Sequence, residues 1–60
     1  MNTLSATDLE VVYDVLAEAL DQATPAKAEL FLTKLALLGA QAIGDAQTFT
    51  ELTRSALQDL

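Results

Sequence analysis

The chain has 60 residues and a formal charge of −6, from nine acidic and three basic side chains, and it contains neither histidine nor cysteine. We expect residues 1–60 to form a single domain, without disulfide bonds or thiolate metal sites. The negative charge argues against binding to nucleic acids and to anionic membranes, because both depend on clustered Lys and Arg.

The first predicted helix covers residues 8–22. Thr7 followed by Glu10 fits the capping box, in which a Thr N-cap and a Glu three residues later satisfy each other's backbone amides. The apolar side chains that follow recur at helical spacing and share one broad face. That face consists of Leu9, Val12, Tyr13, Leu16, Leu20 and Ala23.

A row of four acidic side chains lies opposite this apolar face, at spacings of four, four and three residues. The acidic row consists of Glu10, Asp14, Glu18 and Asp21. Like charges one turn apart destabilise a helix slightly, and a basic partner would relieve that repulsion. The row is therefore either a solvated surface or a docking face for a basic partner.

The second predicted helix covers residues 25–43. Thr24 is suited to the N-cap, and Pro25 at the first helical position loses no hydrogen bond there. Pro25 also disfavours a helical Thr24 and so ends the first helix. The main apolar stripe is Ala28, Phe31, Leu32, Leu35, Leu38, Gly39 and Ala42. Gly39 predicts a close helix crossing at its position, with a ligand approach as the alternative.

Leu30 and Leu37 fall outside this stripe, beside Lys34 and Gln41 on the more polar side of the helix. A pair of leucines seven residues apart is typical of a seam with another helix. Either the neighbouring helices of the same chain cover the pair, or another chain does. We expect a contact with another chain and take Leu30 and Leu37 as its candidate residues.

The third predicted helix covers residues 46–58, after Gly44 as a left-handed stop and Asp45 as an N-cap. Short links favour antiparallel neighbours, so we expect an all-α fold, a compact three-helix up-down-up unit that is oligomeric or docked on a partner. A helix-turn-helix DNA reader is the obvious three-helix alternative. It requires a basic recognition helix, whereas this third helix has only Arg54, with Glu51 nearby.

The sequence offers no catalytic or metal-binding constellation. Without histidine or cysteine, only carboxylates, hydroxyls, Tyr13 and three basic side chains remain for chemistry. No loop has the alternating acidic residues of a calcium site. Paired carboxylates act as acid and base when burial separates their pKa values, and an exposed acidic row lacks that burial. We therefore expect no enzyme activity, no metal and no cofactor.

We expect a cytoplasmic protein. The opening residues 1–3 lack the basic and apolar regions of a signal peptide. The apolar run in residues 30–43 is interrupted by Thr33, Lys34 and Gln41, and it is too short and too polar to span a bilayer.

Residues 4–20 (LSATDLEVVYDVLAEAL) and 27–38 (KAELFLTKLALL) resemble a family of short acidic bacterial proteins catalogued as a domain of unknown function. Genes of that family are often encoded beside flavin-dependent aromatic hydroxylases. The resemblance implies a small accessory subunit of such an enzyme, with the flavin held by the partner. It assigns no catalytic residue.

Together these features predict a non-enzymatic helical interaction module that binds a larger protein subunit or a second copy of itself. The alternative is a stand-alone homo-oligomeric structural or regulatory protein without an enzyme partner.

Overall fold

The computed structural model describes residues 3–60, and all secondary structure in that range is helical. Helix α1 spans Ala6–Ile43 and helix α2 spans Ala46–Leu57. The predicted count of three helices is therefore wrong. The break expected at Thr24 is a kink inside α1 rather than a loop between two separate helices.

The kink has a local cause in the sequence. Thr24 has φ 65° and ψ 160°, whereas a helical residue has a negative φ. The ring of Pro25 disfavours a helical conformation in the residue before it. Helical geometry resumes at Pro25, which needs no amide hydrogen in the first turn of the following segment. The dipeptide thus bends α1 into two arms, which we call the acidic arm (residues 6–23) and the leucine arm (residues 25–43).

The predicted capping box at the first helix is also wrong. Thr7 lies inside α1, and Ser5 is the N-cap: its Oγ accepts a hydrogen bond from the Asp8 amide at 3.0 Å. Ser5 and Asp8 have the same three-residue spacing as Thr7 and Glu10. Two overlapping pairs therefore offer a similar cap, and the earlier pair adds two residues to the helix.

The turn between the two helices has the predicted residues in the predicted roles. Gly44 is left-handed, with φ 74°, and its amide donates to the Ala40 carbonyl at 2.9 Å. Glycine adopts this conformation without the steric penalty that a Cβ atom brings. Asp45 then caps α2 by accepting a hydrogen bond from the Thr48 amide at 3.1 Å.

The helices do not fold back on one another, so the predicted compact up-down-up packing is wrong as well. Among residues 3–60, no two Cα atoms twelve or more positions apart lie within 8 Å. The radius of gyration is 12.7 Å, whereas a compact domain of this length has about 10 Å. The physical reason is the backbone conformation of the links, since the angles of Thr24 and of residues 44–45 bend the chain without reversing it.

Gly39 shows the same lack of packing. A Cβ atom built at this position would meet no atom within 4 Å, so the close helix crossing predicted there is absent from the structure. The helix continues through Gly39, and Thr24 is the residue of α1 with non-helical dihedral angles. Within residues 3–60, neither helix combines the length and the apolar character needed to cross a bilayer.

Candidate interaction surface

No residue in the described part of the chain is buried, and the large apolar side chains are exposed on every segment. On the acidic arm these are Leu9, Val11, Val12, Tyr13 and Val15, and on the leucine arm Leu30, Leu32, Leu35, Leu37, Leu38 and Ile43. A monomeric protein rarely exposes a contiguous apolar patch of more than a few hundred Å². The exposed apolar surface of the described residues is therefore the candidate interaction surface.

Leu30 and Leu37 are exposed, at 56% and 63% of their surface. Neighbouring helices of the same chain do not cover them, which was the alternative to a contact with another chain. The predicted stripe is not a core, because none of its residues is buried and Leu38 is 64% exposed. The exposed apolar side chains of the leucine arm thus extend beyond Leu30 and Leu37.

Each of the two candidate leucines lines a separate open groove at a bend of the chain. Leu30 lies in a groove of about 250 Å³ beside the Thr24 kink, where Ala23, Phe31 and two lysines complete the lining. Leu37 lies in a larger groove of about 610 Å³ between the end of α1 and the start of α2, opposite Phe49. Each bend thus has an open groove with a mainly apolar lining.

The two lysines in the smaller groove are a feature that the sequence analysis did not select. Lys27 and Lys34 flank Leu30 and are seven residues apart, so they lie on nearly the same side of the leucine arm. They are two of the three basic side chains of the whole protein. Their seven-residue spacing, which matches that of Leu30 and Leu37, was the signal in the sequence that could have identified these lysines.

Charge is divided unequally between the two arms. The acidic arm contains Asp8 and the four acids of the acidic row, and no basic residue. The leucine arm contains Lys27 and Lys34 against the single acid Glu29. All nine acidic side chains of the protein are exposed. The structure therefore presents a negative arm and a slightly positive arm, joined at the kink.

Three threonine hydroxyls in the described residues donate hydrogen bonds within their own helices. The hydroxyls of Thr33, Thr50 and Thr53 donate to the carbonyl oxygens of residues one turn earlier, at 2.8–2.9 Å. Such hydroxyls are hydrogen-bonded to the backbone of their own helix. A nucleophilic hydroxyl needs instead an adjacent base to activate it. Within residues 3–60 no three acidic side chains gather as a cation site.

Asp45 is the acidic residue with a shifted pKa. The Thr48 hydroxyl and then the Thr48 amide donate hydrogen bonds to its carboxylate, and these bonds hold the pKa below its usual value of 3.8. A hydrogen bond to the charged form of an acid favours that form. The shift reflects the N-cap of α2, and Asp45 is exposed rather than enclosed in a reactive site.

No family model, no curated protein and no solved structure matches the chain. The resemblance to the bacterial family of short acidic proteins stays a prediction.

Proposed function

We propose that this protein is a non-enzymatic helical interaction module, whose apolar arms are covered by another protein chain. The observation that carries the proposal is the absence of any buried residue within residues 3–60, although apolar residues make up 52% of the sequence. Burial of apolar surface is the main favourable term in folding, at about 25 cal/mol per Å². A chain that leaves this surface in water lacks the driving force to hold its own shape.

Several features support an interaction role over a catalytic one. The polar side chains are exposed or serve helix ends, and the grooves are open and lined mainly by apolar groups. Enzymes hold substrates in enclosed pockets with convergent polar groups. The proposal places the module in a reducing cytosol, because a chain without cysteine gains nothing from an oxidising compartment.

The resemblance described above supplies one candidate partner, a flavin-dependent aromatic hydroxylase. In that version of the proposal the module is an accessory subunit, and the partner holds the flavin. The version is tested by mixing the two purified proteins and following flavin absorbance through size-exclusion chromatography. Co-elution supports the accessory role, and separate elution rejects this partner.

The double variant Leu30→Gln and Leu37→Gln tests the surface itself. We expect it to abolish association with the partner chain, because each Gln places a polar amide against an apolar surface. The stability of the isolated chain should change by less than about 1 kcal/mol, since both leucines are exposed. Sedimentation velocity measures association, and circular dichroism measures helix content.

A matched control is available on the same arm. Glu29→Gln and Ala36→Gln are also seven residues apart and point about 100° away from the leucine pair. This control should associate as the native chain does. Equal association by the native protein and both double variants would show that Leu30 and Leu37 lie outside the interface.

A further inference from the structure

The backbone of Thr24 has a conformation that its own side chain opposes. Its φ of 65° and ψ of 160° lie in a region that glycine occupies almost exclusively, because a Cβ atom meets the backbone there. Thr24 is β-branched, which increases the conflict. Strained residues of this kind persist where the surrounding structure over-determines them, as at ligand clamps and switch regions.

The surroundings of Thr24 do not hold it in this way. Thr24 is itself exposed, and among residues 3–60 none is buried and no two Cα atoms twelve or more positions apart lie within 8 Å. Leu20 and Ala23 before the bend are half-buried, as are Ala28 and Phe31 after it. This partial burial is the tertiary contribution that the described residues near the bend set against the strain.

A single torsion separates the strained conformation from a relaxed one. The residue before a proline prefers an extended backbone, with a negative φ and a ψ between about 120° and 160°. The ψ of Thr24 is already 160°, so a rotation about its N–Cα bond alone brings it into the preferred region. The two arms keep their helical geometry in this rotation and change only their relative direction.

The rotation changes the groove beside the kink. Ala23 precedes Thr24 in the lining of this groove, and its other lining residues follow. The groove between α1 and α2 is lined by residues within 37–50, all after Thr24, and it therefore moves as one piece. The conformation of Thr24 thus determines the shape of the groove that contains Leu30, whereas the groove that contains Leu37 is unaffected.

From these observations we infer that Thr24 is a two-state hinge between the acidic arm and the leucine arm. In the assembled state φ is positive and the groove beside the kink is complete. In the open state φ is negative and Ala23 leaves that groove. A partner that fills the groove favours the assembled state through its contacts there. The hinge goes beyond the proposed interaction role, because it is a property of this chain whichever protein covers the surface.

Two variants of Thr24 displace the hinge in opposite directions. Thr24→Gly removes the Cβ atom and makes a positive φ inexpensive, so the ratio of the assembled to the open state should rise by about fivefold or more. Thr24→Pro fixes φ at about −65° and should eliminate the assembled state. Thr24→Val is the matched control, because it keeps the β-branch and removes only the hydroxyl. It should keep the native ratio.

Spin labels report the angle between the arms. Because the chain has no cysteine, Glu10→Cys and Ala36→Cys place one exposed label on each arm, and double electron–electron resonance measures the distances between the two labels. The native chain is expected to give two distances, of which Thr24→Gly enriches one and Thr24→Pro the other. The measurement is made in buffer and again in trifluoroethanol, which raises the helix content of a chain without cover, as circular dichroism verifies.

The outcome for the hinge is independent of the proposed function. A native distribution with one maximum in both solvents would overturn the hinge. Equal changes in the glycine, proline and valine variants would overturn it too, because the lost hydroxyl rather than φ would then be the cause. Opposite changes in the glycine and proline variants, with a native-like valine variant, support it. The interaction role is tested separately, by the association of the Leu30→Gln and Leu37→Gln variant.

Discussion

Thr24 and Gly44 are the residues at which the chain bends, and both have a positive φ. For Gly44 this conformation is inexpensive, because glycine has no Cβ atom. For Thr24 it is strained, since a β-branched residue rarely occupies this region. Pro25 accounts for the position of the bend by opposing a helical Thr24. The residues that shape the molecule are therefore at the bends.

Asp45 allows a prediction about the stability of α2 at low pH. Its pKa is lowered in the folded chain, so its contribution to α2 is present above the usual value of 3.8 and is lost as the pH falls through the lowered value. Asp45→Asn keeps an N-cap without a titrating group. We expect the native α2 to lose helix in acid, and the Asn variant to keep it over the same range.

The Cα chemical shifts of residues 46–50, followed against pH, measure this difference. Asp45→Ala is the second comparison, because it removes the cap at every pH and should weaken the first turn of α2 throughout. Loss of helix at the same pH in the native and Asn chains would show that another group controls the acid transition.

At the scale of elements, the two helices differ in how their apolar residues are distributed. Helix α2 is one-sided, with Phe49 half-buried against the end of α1 and Arg54 among its polar residues. The leucine arm of α1 is apolar around most of its circumference, which a single neighbouring helix does not cover. The proposed contact with another chain is therefore expected on α1.

Gly39→Ala tests the packing of the leucine arm. Alanine favours the interior of a helix over glycine by about 1 kcal/mol, and no atom within 4 Å obstructs a Cβ atom there. We therefore expect an increase in the free energy of unfolding of up to about 1 kcal/mol, measured by urea denaturation. A decrease would mean that another chain approaches the backbone closely at Gly39.

At the scale of the whole molecule, shape and area are the decisive properties. A straight α1 would be about 57 Å long, whereas the longest extent of the molecule is 31 Å, so the kink makes the chain curved rather than rod-like. The curvature does not create a core, and none of the described residues is buried. The proposed interaction role therefore implies that folding and association are coupled.

Such coupling predicts a melting temperature that depends on protein concentration. Association favours the folded chain by mass action, so dilution should lower the melting temperature of the native protein. The Leu30→Gln and Leu37→Gln double variant should lose most of this dependence. Circular dichroism melts over a hundredfold range of concentration make the comparison. A constant melting temperature in the native chain would contradict the coupling.

The local signals were the most predictable part of the fold. Gly44 and Asp45 have the roles predicted for them because their effects depend on one residue and its nearest neighbours. The start of α1 was misplaced because Ser5 and Thr7 both precede an acid by three residues. The candidate surface was predicted only in part: Leu30 and Leu37 are exposed as expected, whereas Lys27 and Lys34 were not selected.

The sequence by itself determined that the described chain is helical, where it bends, and which side chains are apolar or charged. These properties follow from backbone preferences and from spacing along one helix. Only the tertiary structure decided that the arms stay apart and that the predicted stripe is no core. Helical periodicity shows which side of a helix is apolar, but the partner for that side depends on the length and geometry of the links. In this protein the backbone angles at Thr24 and at residues 44–45 bend the chain without reversing it, so the described residues of the same chain do not supply that partner.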